Sequence, residues 1–161
     1  MKKILSFVLA AAAISLANAE PAADPAFGRY PAQAYQGQVQ LPDFKGRDRS
    51  FAMFRTRIGD GMKNGVNFAG HLAIIEIGCG TGCRQVFAGD VSTGRVYRFP
   101  ASGEEYASLA LSFRPDSRLI KAHWENYEND QCLEESFVWE RHRFTSQGRK
   151  ILGNGEFCRE S

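Results

Sequence analysis

Five residues, Cys79-Gly80-Thr81-Gly82-Cys83, constrain this chain more than any others. Two thiols separated by Gly-Thr-Gly meet only if the backbone bends back sharply, and two glycines supply that freedom. Around them the run Gly70–Phe99 reads as strand, loop, strand, turn, strand. Leu72–Ile77 is almost wholly aliphatic, too short to span a membrane and as isoleucine-rich as a central strand. Gln85–Val91 and Arg95–Phe99 follow as strands. Between them Asp90–Arg95 has the Ser/Thr-Gly chemistry of a hairpin turn, with Gly94 free to take positive φ.

The first residues bear on compartment. Lys2 and Lys3 form a positive n-region, Ile4–Leu16 an apolar h-region, and Ala17-Asn18-Ala19 a small-x-small cleavage site. This predicts a signal peptide over residues 1–19 and a periplasmic or secreted protein. Glu20, not a cysteine, follows the cut, so no lipid anchor is expected. Removing Lys2 and Lys3 from the 20 basic residues leaves 18 against 18 acidic ones. A neutral chain carries no electrostatic footprint for nucleic acid or for an anionic membrane.

All four cysteines, Cys79, Cys83, Cys132 and Cys158, follow the cut. An even count in an oxidising compartment is most simply two disulfides, and four cysteines allow three connectivities. The Gly-Thr-Gly spacer favours Cys79–Cys83, with Cys132–Cys158 as the second bridge. The small ring removes little chain entropy and would shape a loop. The longer one should stabilise by about 3 kcal/mol and pin the C-terminus.

Residues 20–161 read as a single domain, with 20–26 a small, Pro/Ala-rich flexible lead-in. Phe27–Phe44 mixes aromatics with Pro31 and Pro42, which suits an extended segment laid over the domain and excludes a central strand. Phe51, Phe54, Ile58 and Met62 then fall on one stripe of an amphipathic helix over Arg49–Lys63. Asp48 or Ser50 is placed to cap it, and Asn64-Gly65 to end it. After Gly65 the pattern is β throughout, with further strands at Leu109–Phe113, Leu119–Trp124, Glu135–Phe144 and Lys150–Leu152. Arg114–Ser117 reads as a type I turn and Ser146–Arg149 as a hairpin. The fold class that follows is α+β: one amphipathic helix packed on a twisted antiparallel β-meander, disulfide-bonded.

Asn67-Phe68-Ala69-Gly70-His71 followed by Gly78-Cys79-Gly80-Thr81-Gly82-Cys83 resembles a group of exported proteobacterial proteins without an assigned activity. The later Thr93-Gly94-Arg95-Val96 and Phe113–Leu119 runs, and the Phe54–Arg57 segment, are similar too. The likeness covers residues 50–124. It implies a shared fold and export, and it carries no catalytic residue to transfer.

Four features of the sequence bear on chemistry. Cys79-x3-Cys83 is one residue longer than a thioredoxin-type pair, and the strand after it offers no helix N-terminus to stabilise a thiolate; only Arg84 is adjacent. For a metal, His71, His123 and His142 are the nitrogen donors, yet none has ligand spacing. An extended strand puts His71 about 26 Å from Cys79, at about 3.3 Å per residue. No G-x-S-x-G, H-E-x-x-H or phosphate-loop pattern is present, so no catalytic residue, metal ligand or cofactor is assigned. The acidic run Glu125–Glu135 reads as a solvated loop, and His71 as a histidine at the start of a strand bonded to a neighbouring loop. The expectation is a non-enzymatic binding module of the inhibitor or immunity type. It would present the clasped loop to an envelope or secreted protein through Thr81, Arg84 and Gln85, without membrane insertion. The alternative is a thiol–disulfide or copper-handling protein that uses the Cys79/Cys83 pair.

Overall fold

Side-chain alternation along the strands decides the architecture. A computed structural model describes residues 24–160; the signal-peptide reading of 1–19 and the first part of the lead-in lie outside them. Leu72 and Ile74 face one way with Val86 and Ala88, whereas Ala73, Ile75, Ile77 and Phe87 face the other. A sheet apolar on both faces must be covered on both. Strands β1 (Leu72–Gly80), β2 (Cys83–Asp90) and β3 (Val96–Arg98) form that sheet, antiparallel and in sequence order.

One cover is the helix α1 (Arg55–Lys63) with the 3-10 turn Arg49–Phe54 that leads into it. Ile58 and Met62 are fully buried, and Phe51 and Phe54 set their rings 5.9 and 4.9 Å from Phe87. The predicted stripe is therefore the buried face, although its first half is 3-10 rather than α. Close approach depends on glycine at Gly61, where a Cβ would lie 2.5 Å from Ile75 Cγ1. Asp48 does not cap the helix. It is buried and accepts from the Val96 and Asp43 amides and from the Arg47 guanidinium, so it ties the helix approach to β3.

The other cover is a second antiparallel sheet of β4 (Ala107–Phe113), β5 (Leu119–Asn126), β6 (Gln131–Glu140) and β7 (Arg143–Asn154), again in sequence order. The predicted meander thus holds within each sheet, and the fold is α+β and mostly β. Phe68, Phe99, Leu109, Ile120, Trp124 and Phe137 fill the space between the sheets. On the outer face of the second sheet Phe27 packs with Leu119 and Val138, and Asp24 pairs with Lys121. The expected extended segment starts later than Phe27, because Phe27–Arg29 is a 3-10 turn; extended chain follows it. The Ala32, Tyr35 and Gln40 amides donate to the Asp116, Gly70 and Val91 carbonyls, so the segment is laid along both sheets.

Three local expectations are corrected. Glu135–Phe144 is not one strand, because Arg141 and His142 both take positive φ (50° and 60°) and turn β6 into β7. Ser146–Arg149 is not a hairpin: Gly148, at φ 119°, lies at a register slip within β7, and the chain runs straight on. The acidic run is mostly strand, with β5 extending to Asn126 and β6 starting at Gln131. A short C-terminal helix α2 (Gly155–Glu160) closes the chain and was not expected. The disulfides are Cys79–Cys83 and Cys132–Cys158.

Candidate functional site

The end of the β1–β2 hairpin carries the disulfide ring and lies beside β4 and α2. Gly78 through Gly82 are exposed, while Cys83 is buried. Cys79 therefore lies at the surface and Cys83 against the body. Gly80 and Gly82 take φ of 136° and 71°, a region open to glycine and costly for most other residues, so the spacer's glycines are demanded by the ring. The ring's free side is tethered once. The Ser108 amide, in a residue itself at φ 53°, donates to the Gly82 carbonyl at 3.2 Å and joins the tip to β4.

The residues singled out from sequence occupy different situations. Thr81 is exposed at the tip. Arg84 is exposed and pairs with Glu76 Oε2 at 2.7 Å. Gln85 is half-buried, and its Oε1 accepts from Arg98 at 2.6 Å and from Ser102. Thr81 and Arg84 are both exposed, whereas the Gln85 side-chain carbonyl oxygen is engaged by Arg98 and Ser102. Two shallow clefts meet at Gly82 and Arg84. One, of about 490 Å³, lies over Glu76, Gly78, Gly80 and Cys83; the other, of about 360 Å³, reaches Ser108, Leu109, Cys158 and Arg159. Glu76, Ser108 and Arg159 were missed from sequence. Glu76 alone left a signal, as a charge inside an otherwise aliphatic strand.

The histidines are scattered. His71 Nε2 accepts from the Trp139 indole N–H at 3.3 Å, so its partner is a residue of β6 and not a loop. His123 is half-buried with no partner on Nε2, and burial holds its imidazole below the ordinary value while Glu134 opposes the shift. His142 sits exposed in the β6–β7 turn. Among the described residues no group of three His, Cys, Asp or Glu side chains is arranged to hold a metal ion.

Glu125, expected in solvent, is 3% exposed. Its Oε1 pairs with Arg159 of α2, and its Oε2 has no partner. Cys158 lies one residue from that arginine and bridges to Cys132 with 5.3 Å between the Cα atoms. This corner holds the C-terminus down rather than offering a site. No protein-family model matches the chain, and no curated protein or solved structure is significantly similar to it.

Proposed function

We propose that the protein is an exported, non-enzymatic binding module, of the same kind as the exported proteobacterial proteins whose motif it resembles. Its recognition element is the Cys79–Cys83 ring at the end of the β1–β2 hairpin. One observation carries this reading: the ring is exposed, closed by a covalent bond, and flanked by side chains already fixed to one another. Such a tip loses little freedom when it enters a concave partner, so its contacts are not offset by ordering. Two disulfides suit an oxidising compartment, and no helix among the described residues is long and apolar enough to cross a membrane. The partner proposed is an envelope or secreted protein with a cleft wide enough for a five-residue ring.

A thiol–disulfide role is the second reading, and the exposure of Cys79 favours it, since exchange needs a bridge within reach of solvent. Two measurements separate them. With immobilised protein and envelope extract, Thr81→Arg should abolish capture of the partner and leave folding and oxidation unchanged, because bulk and charge at the tip block insertion. A redox protein would keep its activity in that variant and lose it in Cys79→Ser. The bridge's reduction potential reads independently: below about −300 mV for a structural bridge, near about −200 mV for an exchanging one.

A further inference from the structure

Beside the ring, the outer edge of β1 is an open strand. The Ile74 amide and carbonyl bond the Asn67 side chain at 2.7 and 3.0 Å, and Leu72 bonds Phe68. Asn67 and Phe68 lie on the side away from β2, so even-numbered residues of β1 turn their backbone groups outward. The partner strand agrees. Val86, paired with Glu76, accepts from Phe99 and donates to Ser102, both on its far side. The next outward positions are Glu76 and Gly78. Both are exposed, and among the described residues no group outside the β1–β2 ladder bonds their backbone.

Open edges are usually blunted by Lys, Pro, a charge, a bulge or a covering loop. This stretch has no Lys, Pro or covering loop, its one charge is Glu76, and the register slip begins only after Gly78. Gly78 adds a second oddity. Its φ lies outside the left-handed region, and a Cβ built there would meet no atom within 4 Å, so the fold itself does not ask for glycine. The bare backbone leaves room on the cleft face for a large side chain from a neighbouring strand. Glu76, two residues back on that face, engages Arg84 through Oε2, and its Oε1 is not bonded by any described residue.

We propose that β1 takes up an extended segment of the partner as an additional strand along Glu76–Gly78. The segment carries a Lys or Arg opposite Glu76 and an aromatic side chain over Gly78. Main-chain bonds supply the grip, and these two side chains supply the choice. The inference rests on reading the ring end as the binding end of the molecule, and it names how a partner is held there.

The test uses the whole oxidised protein, nitrogen-15 labelled, and an acetylated, amidated heptapeptide Thr-Lys-Thr-Trp-Thr-Lys-Thr, whose symmetry suits either strand direction. Hydrogen exchange at the Glu76 and Gly78 amides should be fast in the free protein. It should slow by about tenfold or more with peptide, while the Ile75 and Ile77 amides, already in the β1–β2 ladder, keep their rates. N-methylation of the peptide's Trp should remove the protection. Gly78→Pro, which deletes an N–H the fold does not use, should abolish it. Gly78→Val keeps the N–H but fills the face, and should weaken peptide binding about tenfold with an unchanged melting midpoint. No protection at millimolar peptide, or protection that survives N-methylation, would overturn the proposal. Slowing that follows protein concentration alone would also overturn it, by making a second copy the occupant. If Thr81→Arg blocks partner capture while both amides stay unprotected in the complex, the ring reading stands and the added strand falls.

Discussion

The two disulfides join cysteines 4 and 26 positions apart, and they differ in exposure. Cys132 of β6 and Cys158 of α2 are both buried, next to the Glu125–Arg159 pair. Cys79 is exposed at the end of the β1–β2 hairpin, although its partner Cys83 is buried. Covalent chemistry is the same in both. The difference in loop length and burial assigns one bridge to holding the chain together and the other to holding a shape.

The largest effect expected is at the pinned end. Cutting a 26-residue loop returns about 3–4 kcal/mol of chain entropy to the unfolded state. Cys132→Ser should cost at least that in urea unfolding, because it also frees α2 from the sheet. A loss below about 1 kcal/mol would erase the contrast. The ring comes next: for 4 residues the same relation gives about 2 kcal/mol as an upper figure. Cys83→Ser should therefore cost clearly less than Cys132→Ser, yet impair partner capture more. Dithiothreitol titration followed by mass spectrometry sharpens the point, since the bridge at exposed Cys79 should be attacked well before the buried pair.

The ring was legible in the sequence for a physical reason. Gly-Thr-Gly between two cysteines has one economical geometry, and the pairing of Cys132 with Cys158 follows from it by exclusion. Strand alternation was equally readable in Leu109–Phe113, because one buried face imposes period 2. The rest depended on tertiary context. Arg141 and His142 turn the chain in the left-handed region without the Asn or Gly that advertises such a turn. Glu125 looks solvated until α2, too short to announce itself, brings Arg159 over it. Glu76 stood out in sequence as a charge in an aliphatic strand, but which way its backbone points was fixed only by its pairing with β2.

A third test asks whether the pinned end depends on its charges as well as its bridge. Arg159→Met should lower the unfolding midpoint, because it leaves the buried Glu125 carboxylate without a counter-charge. Adding Glu125→Gln to that variant should recover part of the loss, since no unpaired charge then remains. Additive losses in the double variant would mean that packing, rather than charge, makes this corner stable.

The smallest effect also belongs to the second sheet and separates it from the ring by pH. His123, opposite Glu134 in the β5–β6 register, has its imidazole held below the ordinary 6.5 mainly by burial. A folded state that binds the proton less readily than the unfolded one loses stability as pH falls. The contribution is therefore complete above about 6.5 and declines below it, through the folded value. For one group the slope is at most about 1.4 kcal/mol per pH unit, and partial solvation of the ring reduces it. The pairs Asp24–Lys121 and Arg114–Asp116 titrate later, because their carboxylates lie below the ordinary 3.8. Unfolding midpoints between pH 7 and 5 should thus fall gently in the wild type and stay flatter in His123→Gln. The Cys79/Cys83 double serine variant should show the wild-type slope from a lower starting point, because no group of the ring titrates in that window. An unchanged slope in His123→Gln would move the acid sensitivity elsewhere and remove this distinction between the two ends.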